Sequence, residues 1–299
     1  MIPKTIKICE LQLITPCFCA GADQTEPELR AASFRGELRW WFRCLGGTRE
    51  QESAVFGSVH GSLLASSVAV IVSNVKSSPD FRWAFEQGGK KTCNSAYITH
   101  FLSANAKIEN EGAVVRTDAW LPSGQKFALE LRQLRQIDED AKNLLLLAWD
   151  CLCNLGAIGA RKTRALGAYA PVNSNEQIAE ALIRDERVKK YFLVKLLDKK
   201  EYGDFRKPET TTEILTKSAQ LLKEYRKGLN IHPSPNMSNS AEAKEYYGPS
   251  VFGNAIGERQ SSAVRFRPVL INDKMYLCIL KAPDITLSRN ARKHNLYKL

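Results

Sequence analysis

The chain has 299 residues, 44% of them hydrophobic and 25% charged, which is normal for a globular protein and leaves ample length for a hydrophobic core. Its longest apolar runs, such as residues 144–149, are far too short to cross a bilayer, which excludes a membrane-spanning protein. The formal net charge of +11 favours a polyanionic partner, namely RNA, DNA or an anionic membrane surface, although a merely basic soluble protein also fits.

The sequence predicts no signal peptide, because residues 1–13 alternate polar and apolar side chains. We therefore expect a cytoplasmic protein whose eight cysteines are reduced thiols. The pairs Cys17 with Cys19 and Cys151 with Cys153 have C-x-C spacing, whereas zinc knuckles use C-x-x-C. None of the four histidines has a ligand neighbour at helical spacing, so we predict no metal site and no cofactor.

The first predicted elements are a strand, a helix and a second strand. Alternating apolar residues predict a strand over residues 5–14, and a turn-rich segment follows. Ser33 has the character of a helix N-cap, and helical apolar spacing predicts a helix that ends at Gly46 and Gly47. A run rich in Val, Ile and Ala predicts the second strand over residues 63–75.

An insertion and a second set of elements complete the first half. Polar composition predicts an insertion at about residues 76–123, with an extra strand over 96–102 inside it. The elements after it are a strand over 126–134, a helix capped by Asp138 and stopped by Gly156, and a strand over 166–172.

The resulting order, β-α-β-β-α-β, is the ferredoxin-like or RRM-like arrangement, in which the strands lie in the order 4-1-3-2. We therefore predict an α+β protein whose first domain covers residues 1–172. Residues 173–299 predict a second, helix-rich α+β domain.

Within that second domain, residues 175–228 have a charged, mainly helical pattern, and residues 262–271 and 275–280 predict a pair of strands. The segment "SAVFGS" at 53–58 is echoed by "PSVFGN" at 249–254. This echo favours a degenerate second ferredoxin-like unit.

The stretch "LGAIGARKTRALGAYAP" at 155–171 combines three glycines with three cations and no acid. It nearly matches a P-loop, but it follows a helix and enters a strand, which is the wrong context for a nucleotide site. Glycines permit close approach of the main chain and arginines supply forked donors, so the stretch favours binding of a phosphate backbone. A flexible turn with solvated charges is the alternative.

A second basic stretch is "RAASFRGELRWWFRCLGG" at 30–47. Arg35, Arg39 and Arg43 lie four residues apart on one helix face, where only Glu37 opposes them, so an anion is expected to meet them. We predict that Trp41 lies in the core. Trp40 and Phe42 are candidates both for stacking on bases and for the core.

A third basic stretch is "SSAVRFRPVLI" at 261–271. Strand alternation directs Arg265 and Arg267 to one side and Val264 and Phe266 to the other. The arginines are therefore expected either to extend a basic groove or to lie on a solvated sheet face.

Three segments together, "TPCFCAGADQTEPELRAASFRGELRWWFRCLGG", "ESAVFGS" and "GAIGARKTRALGAY", resemble the RAMP superfamily of CRISPR proteins. Within it, they are most similar to the family of first-numbered subunits of the type III-B Cmr effector complex. The resemblance covers about residues 5–171, and the three segments hold four motifs in the family's order: the "GAD" turn, the "ELRAASFRGELRWWFR" helix, the "FGS" turn and the "GAIGARKTRALG" loop.

This resemblance implies a non-catalytic subunit with an RRM-like core, which assembles with other RAMP subunits around a guide (CRISPR) RNA. It implies a position near the 3′ end of the guide RNA, where the subunit helps to capture target RNA in antiviral defence, without contact to a membrane. The residues predicted to bind RNA are Arg30, Arg35, Arg39, Trp40, Arg43, Gly159, Arg161, Lys162, Arg164, Arg265 and Arg267.

Two other functions remain open from the residues alone. Some RAMP relatives are endoribonucleases that process RNA, and His60, His100 and Asp23 are isolated candidates for an acid or a base. None has a visible partner, so no catalytic residue is predicted and the protein is not expected to be an enzyme. A general RNA-binding or ribosome-associated protein is the third possibility.

Overall fold

In a computed structural model of the chain, the structure describes twelve stretches separated by gaps, and the statements below concern these residues. They are 3–23, 26–59, 63–75, 83–86, 107–108, 113–116, 120–172, 178–196, 214–222, 262, 264–271 and 274–282.

A four-stranded antiparallel sheet forms the centre of the first half, and its strands lie in the spatial order Val68–Ser73, Lys126–Gln133, Lys4–Leu13 and Tyr169–Pro171. Counted along the split β-α-β-β-α-β plan, this is the order 2-3-1-4, so the predicted ferredoxin-like arrangement is confirmed. The elements are β1 (Lys4–Leu13), β2 (Cys17–Phe18), α1 (Ala31–Cys44), α2 (Arg49–Phe56), β3 (Val68–Ser73), β4 (Trp83–Glu86), β5 (Lys107–Ile108), β6 (Ala113–Arg116), β7 (Trp120–Leu121), β8 (Lys126–Gln133), α3 (Glu139–Leu155) and β9 (Tyr169–Pro171).

The helices α1 and α3 cover one face of this sheet, because each has a continuous apolar stripe. Phe34 of α1 lies with its ring centroid 5.4 Å from that of Phe127 on β8 and 5.8 Å from that of Tyr169 on β9. As predicted, Asp138 caps α3, and its side chain accepts a hydrogen bond from the Ala141 N–H at 2.9 Å.

Several predicted boundaries were wrong. The helix α1 begins at Ala31 after Arg30, not at Ser33, and no side chain caps it. The second strand begins only at Val68, because the hydroxyls of Ser66 and Ser67 bond to carbonyls at the end of α2. Gly156 does follow α3, but its φ of −82° is not the left-handed conformation of a glycine stop.

Two small groups of strands in the described part of the first half lie outside the main sheet. β2 pairs with β7, and β4, β6 and β5 form a separate three-stranded sheet within the predicted insertion. The extra strand predicted at 96–102 lies outside the described residues.

The second half contains α4 (Ile178–Arg184), α5 (Glu186–Lys189), β10 (Leu193–Leu196), a helix over residues 214–222, β11 (Val264–Ile271) and β12 (Lys274–Lys281). β11 and β12 form the predicted antiparallel pair, and β10 joins them in the order β10-β12-β11. The helical prediction for residues 175–228 missed β10.

Buried residues of both halves belong to one hydrophobic cluster. Phe192 of the second half lies with its ring centroid 5.0 Å from that of Trp41 and 5.8 Å from that of Trp40 on α1. The core is thus continuous past residue 172, where the domain boundary remains a prediction.

Candidate nucleic-acid interface

The loop between α3 and β9, residues 156–168, is named the glycine loop here. Its backbone takes positive φ at Gly159 (+83°), Arg161 (+58°), Ala165 (+69°) and Gly167 (+63°). A Cβ on Gly159 would collide with the Phe18 carbonyl, and one on Gly167 would collide with a carbonyl inside the loop. These two positions therefore require glycine.

Hydrogen bonds to β2 and to the residues between β1 and β2 hold the glycine loop in one shape. The Ala160 N–H donates to the Phe18 carbonyl at 2.8 Å, and the Gly167 N–H donates to the Pro16 carbonyl at 2.8 Å. The buried Thr15 hydroxyl donates to the Ala165 carbonyl at 2.7 Å. A loop with these bonds is not the flexible turn that the sequence also allowed.

The strand β11 of the second half also bonds to the glycine loop. The Phe266 N–H donates to the Thr163 carbonyl at 3.1 Å, and the Ala165 N–H donates to the Phe266 carbonyl at 3.0 Å. The Arg267 Nη1 donates to the Lys162 carbonyl at 2.8 Å. Nothing in the sequence signals these contacts, because about a hundred residues separate the two partners.

An open cleft of about 510 Å³ lies between the glycine loop, the segment after β2 and the first half of α1. From their clustered basic residues, the loop and the helix over residues 33–45 are predicted to meet across one face of the first domain and to grip one RNA backbone, and the cleft confirms that they meet. Arg30 and Lys162 are the cations that line the cleft, whereas we expected Arg39 and Arg43 to lie nearest the loop. Its lining residues are Phe18, Cys19, Ala20, Glu28, Arg30, Ser33, Gly36, Glu37, Ile158, Gly159, Ala160 and Lys162.

Arg35, Arg39 and Arg43, which form a stripe along one face of α1, bind to groups within the protein. Arg39 forms an ion pair with Glu52 of α2, and the Arg43 Nε lies 3.8 Å from the same carboxylate. Arg35 donates to the Phe56 carbonyl. Part of the expected counter-charge therefore comes from α2, which was not predicted, although Thr48 and Gln51 form a capping box at its start, and RNA contact by these arginines stays a prediction.

Glu37 lies beneath the cleft and binds two cations. Its carboxylate forms an ion pair with Lys162 of the loop and accepts a hydrogen bond from the Arg265 Nη1 at 3.0 Å. Burial raises the pKa of Glu37, but the charges of Arg265 and then Lys162 outweigh it, so the pKa lies below its ordinary value. Glu37 therefore ties α1, the glycine loop and β11 together as an ionised group.

Trp40 is partly buried, and its ring stacks on a guanidinium. The Arg265 Cζ lies 3.4 Å from the centroid of the Trp40 ring, which is a close cation–π contact. Trp41 is fully buried as predicted, and so is Phe42, which excludes Phe42 from stacking on a base.

The arginines of β11 are buried, so both expectations for that strand, an accessible groove and a solvated face, were wrong. Arg265 and Arg267 are 3% and 0% exposed, as buried as Val264 and Phe266, because other elements cover both faces of β11. Burial, followed by the nearby Arg265 charge, lowers the pKa of Arg267 to about 10. Arg164 is also buried, at 5% exposure.

Of the three catalytic candidates, one lies within the described residues. Asp23 is exposed in the turn after β2, and His60 and His100 lie outside the described residues. Within those same stretches, no three His, Cys, Asp or Glu side chains are grouped to hold a metal ion, and no helix is long and apolar enough to cross a membrane. The seven cysteines in the described stretches are free thiols.

The family model of the RAMP superfamily matches residues 10–170 of the chain. A curated protein of Pyrococcus furiosus, the CRISPR system Cmr subunit Cmr1-2, is 30% identical over 177 residues, which cover 54% of this chain and 92% of the relative.

Solved structures share the fold. The crystal structure of Cmr1 from Pyrococcus furiosus in its apo form matches with a TM-score of 0.56 and 20% identity, over 97% of this chain and 92% of that one. A chain of the type III-B Cmr-β complex bound to cognate target RNA and AMPPnP, in the presence of ssDNA, matches with a TM-score of 0.51 and 13% identity, over 95% and 96% of the two chains.

Proposed function

Because the chain belongs to the RAMP superfamily, we propose that it is a non-catalytic RNA-binding subunit of a type III-B CRISPR (Cmr) RNA-guided effector complex. It assembles with other RAMP subunits near the 3′ end of the guide RNA and helps to capture target RNA in antiviral defence. Its similarity to a Cmr subunit over nearly the whole length of that relative supports this assignment.

The observation that carries the RNA-binding role is the cleft shared by the glycine loop and α1. Arg30 is exposed at its mouth and the Lys162 side chain is 33% exposed beside it, so both can meet phosphate oxygens. Gly159 and the exposed Gly36 leave the cleft wall without side chains, so an RNA backbone can approach closely.

The charge of Lys162 is available to RNA although Glu37 contacts it. Arg265 lies behind Glu37 and compensates the same carboxylate, so the three groups together carry a net positive charge. Arg39 and Arg43, whose side chains are 40% and 50% exposed, add positive potential further along α1. Of the eleven predicted RNA contacts, we keep Arg30, Gly159, Arg161 and Lys162 as direct ones.

The proposal assigns RNA cleavage to another subunit. General acid–base cleavage needs two groups positioned on the reacting phosphate, and the sequence pairs none of its three candidates, of which Asp23 falls within the described residues. We propose that the first domain, residues 1–172, holds the RNA surface. The second domain, residues 173–299, supports it through β11.

Binding of labelled single-stranded RNAs to the full chain at several salt concentrations tests the RNA-binding role. Arg30→Ala with Lys162→Ala should weaken binding to every sequence alike and lower the slope of log affinity against log salt by about one unit per lost phosphate contact. Arg132→Ala, on the sheet face away from the helices, is the matched control.

Purification of the native protein with its partners tests the assembly. Other RAMP subunits and a short guide RNA should accompany it, whereas ribosomal material alone would contradict the proposal. RNA cleavage that disappears in Asp23→Ala would favour the endoribonuclease instead.

A further inference from the structure

Arg267 of β11 is buried, and among the described residues no carboxylate forms an ion pair with it. Its side chain is fully buried, and among the described residues its Nε and Nη2 have no hydrogen-bond partner. A buried charge with unpaired donors destabilises a fold, and an apolar side chain of similar volume is often as stable or more so. The stability of the core therefore does not explain an arginine at this position.

The hydrogen bond that Arg267 does make reaches the glycine loop. Its Nη1 donates to the Lys162 carbonyl at 2.8 Å, directly between Arg161, with its positive φ, and Thr163. The neighbouring residue, Phe266, exchanges two main-chain hydrogen bonds with Thr163 and Ala165. The guanidinium thus fixes the peptide of the residue whose ammonium lines the cleft.

The Lys162 side chain is held from the other side by Glu37, and Glu37 is held by Arg265 of the same strand. β11 therefore holds Lys162 at two points. Arg267 binds the Lys162 carbonyl, and Arg265 binds Glu37, which pairs with the Lys162 ammonium. A misplacement of this loop by about 1 Å is enough to lose a positioned contact.

We propose that Arg267 is a positioning residue for RNA binding, which acts without touching RNA by holding the glycine loop in the shape that presents Lys162 to a phosphate. This inference rests on the proposed function of the cleft. It goes beyond that function because it assigns the second half of the chain a defined role in the RNA site of the first half.

The test compares Arg267→Met with Arg132→Met in the full chain, since both variants lose one positive charge by the same substitution. We expect Arg267→Met to bind single-stranded RNA about tenfold more weakly, the equivalent of one charge-assisted hydrogen bond, with a melting temperature equal to or above that of the wild type. Arg132→Met should bind as the wild type does. A melting temperature that falls together with the affinity would identify a purely structural role and overturn the inference.

Hydrogen exchange gives a readout that does not depend on RNA. The amides of Ile158, Ala165 and Gly167 should exchange faster in Arg267→Met, while those of α3 should not change. Unchanged exchange would contradict the positioning role.

The two proposals can fail separately. If Lys162→Ala weakens RNA binding but a folded Arg267→Met does not, the cleft binds RNA and the positioning inference is wrong. If Arg30→Ala with Lys162→Ala binds as well as the wild type, the proposed function is wrong, and the exchange rates still decide whether Arg267 holds the loop.

Discussion

The two ends of α1 carry similar basic residues in opposite surroundings. At the N-terminal end, Arg30 faces an open cleft beside the glycine loop. At the C-terminal end, Arg39 and Arg43 are paired with Glu52 of α2. A row of arginines on a helix therefore does not by itself locate an anion site, because a neighbouring element can supply the counter-charge.

Of the substitutions that test this difference between the open cleft and the ion-paired end of α1, Gly159→Ala on the loop side of the cleft is expected to lower stability most. Gly159→Ala places a Cβ against the Phe18 carbonyl and forces alanine to a φ of +83°. The backbone conformation alone costs about 1–3 kcal/mol, and the collision adds to it. Chemical denaturation should show the lost stability, and RNA binding should fall with it.

Gly36, on the helix side of the same cleft, is the matched control. No heavy atom lies within 4 Å of a Cβ added at Gly36, so Gly36→Ala should stabilise α1 by about 0.5–1 kcal/mol. If Gly159→Ala and Gly36→Ala lowered the stability equally, the glycine loop would not be more constrained than α1 at this cleft.

The buried carboxylate of Glu37 makes the stability of the fold depend on pH. The folded-state pKa of Glu37 is lowered, because Arg265 and Lys162 outweigh burial, so the unfolded chain takes up this proton first as the pH falls below the ordinary value of 4.5. The stabilisation from Glu37 is therefore complete above that value and is lost as the pH falls through the folded-state pKa. Denaturation curves should show Glu37→Gln less stable than the wild type at neutral pH.

The same comparison, repeated below the ordinary pKa of 4.5, should show a smaller difference between Glu37→Gln and the wild type. A difference that stays constant with pH would mean that the carboxylate is not the group that ties the three elements together.

At the C-terminal end of α1, Glu52→Gln should lower stability by about 1 kcal/mol, since Arg39 and Arg43 are partly exposed although the carboxylate they share is buried. RNA binding should become stronger, because the variant releases two arginines from their carboxylate. Weaker RNA binding in a folded Glu52→Gln would show that the ion pairs orient these arginines for RNA.

The smallest effect is expected at Glu28, an exposed carboxylate that lines the cleft near Arg30. Glu28→Gln removes a charge that repels phosphate, so RNA affinity should rise by less than about tenfold and most clearly at low salt. Weaker binding would indicate that Glu28 accepts a hydrogen bond from RNA, for example from a 2′-hydroxyl.

The sequence predicted those parts of the fold that depend on local patterns. The alternation in β1 and β8 and the apolar stripe of α3 predicted the sheet order, and the glycine and arginine motifs predicted that the loop meets α1. The sequence did not predict features that depend on contacts between segments far apart in the chain. The burial of Arg267 follows from layers on both faces of β11, and the pairing of Arg39 follows from α2, whose capping box at Thr48 was available as a signal.

The hydrogen bonds between β11 and the glycine loop also have a consequence for synthesis on the ribosome. Chain growth is vectorial, so residues 156–168 emerge long before Phe266 and Arg267 exist. Until then the Ala165 N–H and the Thr163 and Lys162 carbonyls have no β11 to bond. Ribosome-bound chains that end before residue 262 should therefore bind RNA more weakly than finished ones, which delays capture of RNA by a nascent, unassembled subunit.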